Sequence, residues 1–226
     1  MNSFFYPRLV RKDIKVYYKS EGEFYATYNC ATNYNNIAME CQYRCVYCDA
    51  HISECGGEPF SLDHFRPLNI FSNKFNGVLK IHPFNLHLSC QKCNVLKTND
   101  WKGCVDTIDG FTHQSGLGYI DRFLDDINEY IKVDENGMVV CIDNSGPGKY
   151  MVRKLLLNRT NRVYIRMRRT VRYKAERVLE LLLDKQRELV SSLSKDDLNM
   201  CSKQKEEMRK LLDLYERFNR INLMKL

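Results

Sequence analysis

The chain has 226 residues, with 44% hydrophobic and 28% charged positions and a formal net charge of +7. That balance excludes a disordered chain and allows one sizeable core, or a small domain with a helical appendage. The excess of positive charge and a pI near 8.8 hint at a polyanionic partner.

The opening residues, MNSFFYPRLVRKD, contain no apolar signal core. The longest aliphatic runs, such as Leu155–Leu157 and Leu181–Leu183, are far too short to span a bilayer. A soluble, cytoplasmic protein is expected. Ten cysteines in a reducing compartment then point to metal ligation rather than disulfides.

The first forty residues are rich in Tyr, Phe and Asn and have no clear period. NNIAMECQYRC, 35–45, reads as a short helix leading into a cysteine cluster. Residues 45–104 hold six of the ten cysteines and four of the five histidines, which makes them the chemical centre. Within them, Asp63-His64 ends a predicted strand and FNLHL, 84–88, forms a second. YIKVDENGMVVCI, 130–142, places two β-prone runs around Asn136-Gly137, the signal of a two-residue hairpin turn. NSGPGKY, 144–150, is the expected boundary between a core, 1–148, and a helical region, 149–226.

Beyond Lys154, Val163, Met167, Val171, Ala175, Val178 and Leu182 recur at helical spacing and predict one apolar face. Ser194 and Asp197 resemble a capping box opening a last helix, which carries Met208, Leu211, Leu212, Tyr215 and Phe218.

Cys45-Cys48 and Cys90-Cys93 are two CxxC pairs. Each tight turn presents two thiolates, and together they close a tetrahedral site of the kind that selects Zn²⁺. Four thiolates leave no open position, so the zinc would be structural. Forty-one residues separate the pairs, and Cys41 and Cys55 stand close enough in sequence to compete as ligands. Cys30, Cys104, Cys141 and Cys201 are read as core or surface thiols, and His51 as a packed or surface residue.

The long insertion between the pairs contains LDHFRP, 62–67. Read alone, Asp63 and His64 suit a polar turn entry. Neighbouring strand residues point to opposite faces, so the two are no obvious ion pair. Taken in order, CxxC, DHxxP, NL and CxxCNxxK over Cys45–Lys97 resemble the HNH endonuclease family in its zinc-stapled form. The resemblance implies an α+β fold: a ββα-metal core with a four-cysteine zinc knuckle, followed by a helical C-terminal region. It implies His64 as general base, with Asp63 and Asn94 holding one catalytic Mg²⁺ or Mn²⁺. Asn85 would tie the loop and orient the histidine. The chemistry suits those residue types, because a neutral imidazole accepts a proton near pH 7 and a hard cation offsets phosphate charge. KIHPF stands where the family often carries tryptophan. His87 is a candidate for the cleft wall, and Arg66 and Lys97 are candidates for phosphate contact.

From Arg153 to Arg177 the chain carries ten Lys or Arg and one Glu. Arg159, Arg162, Arg166 and Arg169 share a helix face, a stripe suited to tracking phosphates. IKVDENGMVVCIDNSGPGKYMVRKLLLNRTNRVYIRMRR is similar, more loosely, to the PtuB-like nuclease subunits of Septu and retron-linked antiphage systems. That resemblance implies a PtuA-like SMC/ABC ATPase partner, and in retron systems a reverse transcriptase with its RNA–DNA product. The expected function is a metal-dependent endonuclease acting on DNA or structured RNA such as tRNA. The alternative is a zinc-stabilised adaptor that binds without catalysis.

Overall fold

Two-stranded sheets bury too little to be stable alone, yet every sheet among the described residues of this computed structural model is two-stranded and antiparallel. Stability must therefore come from what packs against them. The structure describes residues 4–193 and 202–223; the Ser194/Asp197 cap and Cys201 lie outside them.

The chain begins with β1 (Tyr18–Ser20) and β2 (Glu23–Phe24), then α1 (Ala31–Glu40). Glu40, buried at the end of α1, accepts from Arg11 Nη1 at 2.9 Å, from the Lys12 amide and from the Tyr17 hydroxyl. That one carboxylate fastens the N-terminal segment to the helix. The central sheet pairs β3 (Phe60–His64) with β4 (Leu86–Cys90) in continuous register, Asp63 opposite His87 and His64 opposite Leu86. Between them lie α2 (Leu68–Phe71) and two 3₁₀ turns, Phe75–Lys80 and Pro83–Asn85. Phe84 and Asn85, expected in the second strand, belong to the last of these turns.

All five residues of β4 are buried. α1 and α3 (Gln91–Lys97) both pack on the β3–β4 pair, which explains an apolar pattern too continuous for a half-exposed strand. Cys90 ends β4 and caps α3, so Cys93 falls in the first helical turn. Trp101 packs edge-on against Phe65 and Phe71 at 5.6 and 5.9 Å.

The short strands β5 (His113–Gln114) and β6 (Leu117–Gly118) precede β7 (Ile131–Val133) and β8 (Val139–Cys141). The β7–β8 connection is longer than the two-residue turn expected. Val133 and Val139 are the last pair, and Asp134 Oδ1 accepts from the amides of Asn136 and Met138. Only Gly137 takes a positive φ, +75°, as in a type I turn closed by a glycine bulge. A side chain there would meet the Val163 carbonyl at 2.7 Å.

Pro147 opens α4 (Pro147–Lys154), and α5 (Thr160–Leu193) and α6 (Ser202–Leu223) follow. The chain divides into units 1–167 and 168–226, with the division inside α5. In the second unit, Leu182, Leu183, Met208, Leu211, Leu212 and Tyr215 line one groove between α5 and α6. Of the apolar face expected of α5, Val163, Ala175 and Leu182 are partly buried. Met167, Val171 and Val178 are all exposed. No helix among the described residues is long and apolar enough to cross a membrane.

Candidate metal centre and adjoining histidine

The four sulfurs of Cys45, Cys48, Cys90 and Cys93 lie within 4.8 Å of one another, and all four residues are buried. A tetrahedral ion with Zn–S bonds near 2.3 Å would hold its sulfurs about 3.8 Å apart. The Cys48–Cys90 separation is 3.8 Å. The four cysteines can hold a metal ion such as zinc.

Local structure explains how they meet. After α1, residues 44–51 form a tight knuckle closed by an Arg44–His51 bridge and by the Cys45 amide donating to the Ala50 carbonyl at 2.9 Å. Asp49 supports it with a left-handed φ of +60°. The Val46 amide donates to the Leu88 carbonyl at 3.0 Å, which ties the knuckle to β4 beside the second pair. Cys41 and Cys55 stand outside the cluster, and burial pushes their thiols up to about 11 and about 12. Burial raises Cys45 as well. At Cys48 burial is outweighed by hydrogen bonds with the other three sulfurs and by the charge of Arg162, so that thiol is lowered well below its usual range.

The basic stripe turns toward this cluster. Arg159 Nη2 donates to Cys93, Cys90 and Cys48 at 3.4, 3.5 and 3.8 Å. Arg162 donates from Nε to Cys48 at 3.3 Å and from Nη2 to Cys90 at 3.2 Å, and it pairs with Glu58. Arg166 is buried and donates to the carbonyls of Gly137 and Leu157 at 2.6 and 2.8 Å. Arg169, in the second unit, is buried too. These four arginines were expected to track phosphates. Within the first unit, Arg159 and Arg162 meet the cysteine sulfurs and Arg166 meets backbone carbonyls instead.

His64 ends β3 and is 9% exposed. Its Nε2 lies 2.9 Å from the Lys80 carbonyl, an atom that can only accept, so Nε2 carries the proton. Nδ1 is left as the basic nitrogen, with no protein partner among the described residues. The Tyr28 ring stands edge-on at 4.5 Å. Burial lowers the histidine pKa, against the raising effects of the Lys80 carbonyl and Asp63. The ring is neutral at pH 7.

Asn85 holds the surrounding loop. Its Oδ1 accepts from the Arg66 amide at 2.8 Å, and its Nδ2 donates to the Arg66 and Leu79 carbonyls at 3.2 and 2.9 Å. Leu79 precedes the residue whose carbonyl orients His64.

Asp63 points elsewhere. Its Oδ2 accepts from the Tyr47 hydroxyl at 2.5 Å and lies 3.1 Å from Lys97 Nζ. Lys97 is fully buried on α3 and also donates to the His64 carbonyl at 2.9 Å. One turn earlier, Asn94 Nδ2 donates to Ser61 Oγ at 3.2 Å. Asp63 and Asn94 thus meet their partners where α3 packs on β3. Lys97 is not a free phosphate ligand. Neither is Arg66, whose guanidinium donates to the carbonyls of Gly110 and Cys104 and lies over Trp101.

His87 is 1% exposed, stacks on Phe65 at 4.5 Å and leaves both ring nitrogens unpartnered. Burial lowers its pKa well below the ordinary value. It is neutral, so the Asp121 carboxylate 3.8 Å away is no ion-pair partner. It is a core residue rather than a cleft wall.

Tyr47, Lys80 and Glu58 were not anticipated. Tyr47 lies between the first two cysteines, a placement visible in the sequence. Lys80 acts through its carbonyl, which no residue pattern reveals. No family model, curated protein or solved structure matches the chain, so its chemistry is argued from its own residues.

Proposed function

We propose that the chain is a metal-dependent endonuclease of the HNH type, cleaving phosphodiester bonds of DNA or structured RNA. The observation that carries this reading is the setting of His64. It is a neutral imidazole, its tautomer set by the Lys80 carbonyl, with Nδ1 left to take a proton from a water attacking phosphorus. Asn85 acts as a positioning residue by holding the backbone at Arg66, two residues past that histidine, and at Leu79, next to Lys80.

Asp63 and the amide oxygen of Asn94 are the residues to hold Mg²⁺ or Mn²⁺. Two hard oxygen donors suit an ion that keeps most of its water. When bound, such an ion supplies positive charge to the phosphate. It would share Asp63 with Lys97. The four-cysteine centre is assigned to structural Zn²⁺.

The same reading makes the chain the nuclease subunit of an antiphage complex with an SMC/ABC-like ATPase. The second unit exposes Leu181, Leu183, Leu212, Leu214 and Tyr215, apolar surface on which a partner can dock. One observation favours the adaptor alternative. The buried Lys97–Asp63 pair already neutralises the carboxylate that the chemistry needs.

The deciding experiment incubates the purified chain, alone and co-expressed with its ATPase neighbour, with labelled DNA and tRNA in Mg²⁺, Mn²⁺ or chelator. Metal-dependent cleavage is expected, and His64→Ala should abolish it. Undiminished cleavage by His64→Ala would remove the proposed base, and no cleavage of any substrate with the partner present would favour the adaptor.

A further inference from the structure

Positive charge is concentrated on the cysteine cluster through Arg159 and Arg162. Four thiolates around one divalent cation carry a net charge of −2. Arg159 and Arg162 bring +2, and their guanidinium groups make five N–H to sulfur contacts of 3.2–3.8 Å. A buried charge is costly unless it is paired. Arg162 is 1% exposed and pairs with the Glu58 carboxylate, and Arg159 leaves Nε buried and unpartnered among the described residues.

We infer that Arg159 and Arg162 are the charge-balancing outer layer of the metal centre, and that metal occupancy therefore controls whether the root of α5 docks on the core. The inference rests on the four-cysteine reading. With metal bound, the sulfurs are anionic and hold both arginines. Without it, the four sulfurs are no longer drawn around one ion, the five contacts lose their common anchor, and Arg162 is left to Glu58. Metal affinity and helix docking are then linked, each strengthening the other. The neighbouring contacts transmit the link. Arg159 Nη1 donates to the Leu155 and Leu156 carbonyls at the end of α4, and Arg166 to Gly137 in the β7–β8 turn. Docking of the root therefore orders α4, the turn and the start of α5 together.

The test uses the full chain loaded with Zn²⁺ or Co²⁺. Two quantities are read: the rate of metal release to a chromogenic chelator, and hydrogen exchange over residues 155–167 before and after chelation. Arg159→Gln and Arg162→Gln should release metal about tenfold to a hundredfold faster, the range for groups that hydrogen-bond to metal ligands. Arg153→Gln, an exposed arginine on α4, should match the parent. Chelation should strip protection from 155–167. If Arg162→Gln misfolds because Glu58 is stranded, Arg162→Gln with Glu58→Gln replaces it. Release rates within twofold of the parent, or protection at 155–167 indifferent to chelation, would overturn the inference. A parent chain that shows no thiolate-to-Co²⁺ charge-transfer band would instead overturn the four-cysteine reading itself.

Discussion

Lys97 Nζ stands 3.1 Å from Asp63 Oδ2 and 2.9 Å from the carbonyl oxygen of His64, with the lysine fully buried. One ammonium thus grips two successive residues at the end of β3 from the last turn of α3. Removing it leaves a carboxylate, 6% exposed, held by the Tyr47 hydroxyl. Lys97→Met should lower stability by about 3–5 kcal/mol, the usual loss when one member of a buried pair is deleted. Lys97→Met with Asp63→Leu should recover much of it. Chemical denaturation of the double-mutant cycle measures both. A phosphate-binding lysine would instead leave stability unchanged and weaken nucleic-acid binding.

The state of His64 sets a pH profile. A base works unprotonated, and burial holds this histidine below its ordinary value of about 6.5. Cleavage should therefore be flat across neutral pH and fall only below the ordinary histidine range. The acid limb should lie below that of a free histidine. Rates from pH 5 to 8 at saturating metal check this; a midpoint above 7 would place the base elsewhere.

Asn85 makes three buried hydrogen bonds to the backbone of Arg66 and Leu79, near the histidine and the Lys80 carbonyl that orients it. Asn85→Leu strands those backbone groups, each worth about 1–3 kcal/mol when left unpaired. Stability should fall, and kcat should fall more than KM rises, because His64 loses its orientation rather than the substrate its grip. Asn85→Asp keeps the Oδ1 acceptor and loses the donors, so it should lie between Leu and the parent. Thermal melts with steady-state kinetics on the three proteins separate the effects.

Much of the site was readable from spacing, because short spacing is a strong constraint. The CxxC turns, the strand ending at His64, and Asn94 and Lys97 on one short helix all follow from local geometry. What spacing does not carry is direction relative to the rest of the chain. Arg159, Arg162 and Arg166 do share a face, as their periodicity implies, yet that face is inward. The apolar stripe of Met167, Val171 and Val178 is the exposed one. Amphipathic reasoning assumes that the core is oil and the outside is charge. Here α5 begins against a cluster of sulfurs whose metal-bound form is anionic, and local electrostatics decide which side is buried. The partners of Asp63 and His64 were hidden for a related reason. Tyr47 and the Lys80 carbonyl reach them through the tertiary fold.

His87 offers a stability prediction with a definite sign. The ring is buried, neutral and unpartnered at both nitrogens. The unfolded chain takes up a proton there near pH 6.5, while the folded chain resists until well below it. Between those limits the unfolded state binds more protons, so stability is complete above about 6.5 and is lost as pH falls. Burial lowers His64 and His82 as well, and they add in the same direction. Asp121, which faces His87, is raised by burial, so it favours the folded state on acidification and opposes the trend at lower pH. His87→Phe keeps the stacking on Phe65 and has no proton to take up. Its melting temperature should be equal or higher at pH 7.5, and its advantage over the parent should grow steadily down to pH 5.5. A constant difference across that range would mean that His87 titrates alike in both states, through a partner gained by its ring.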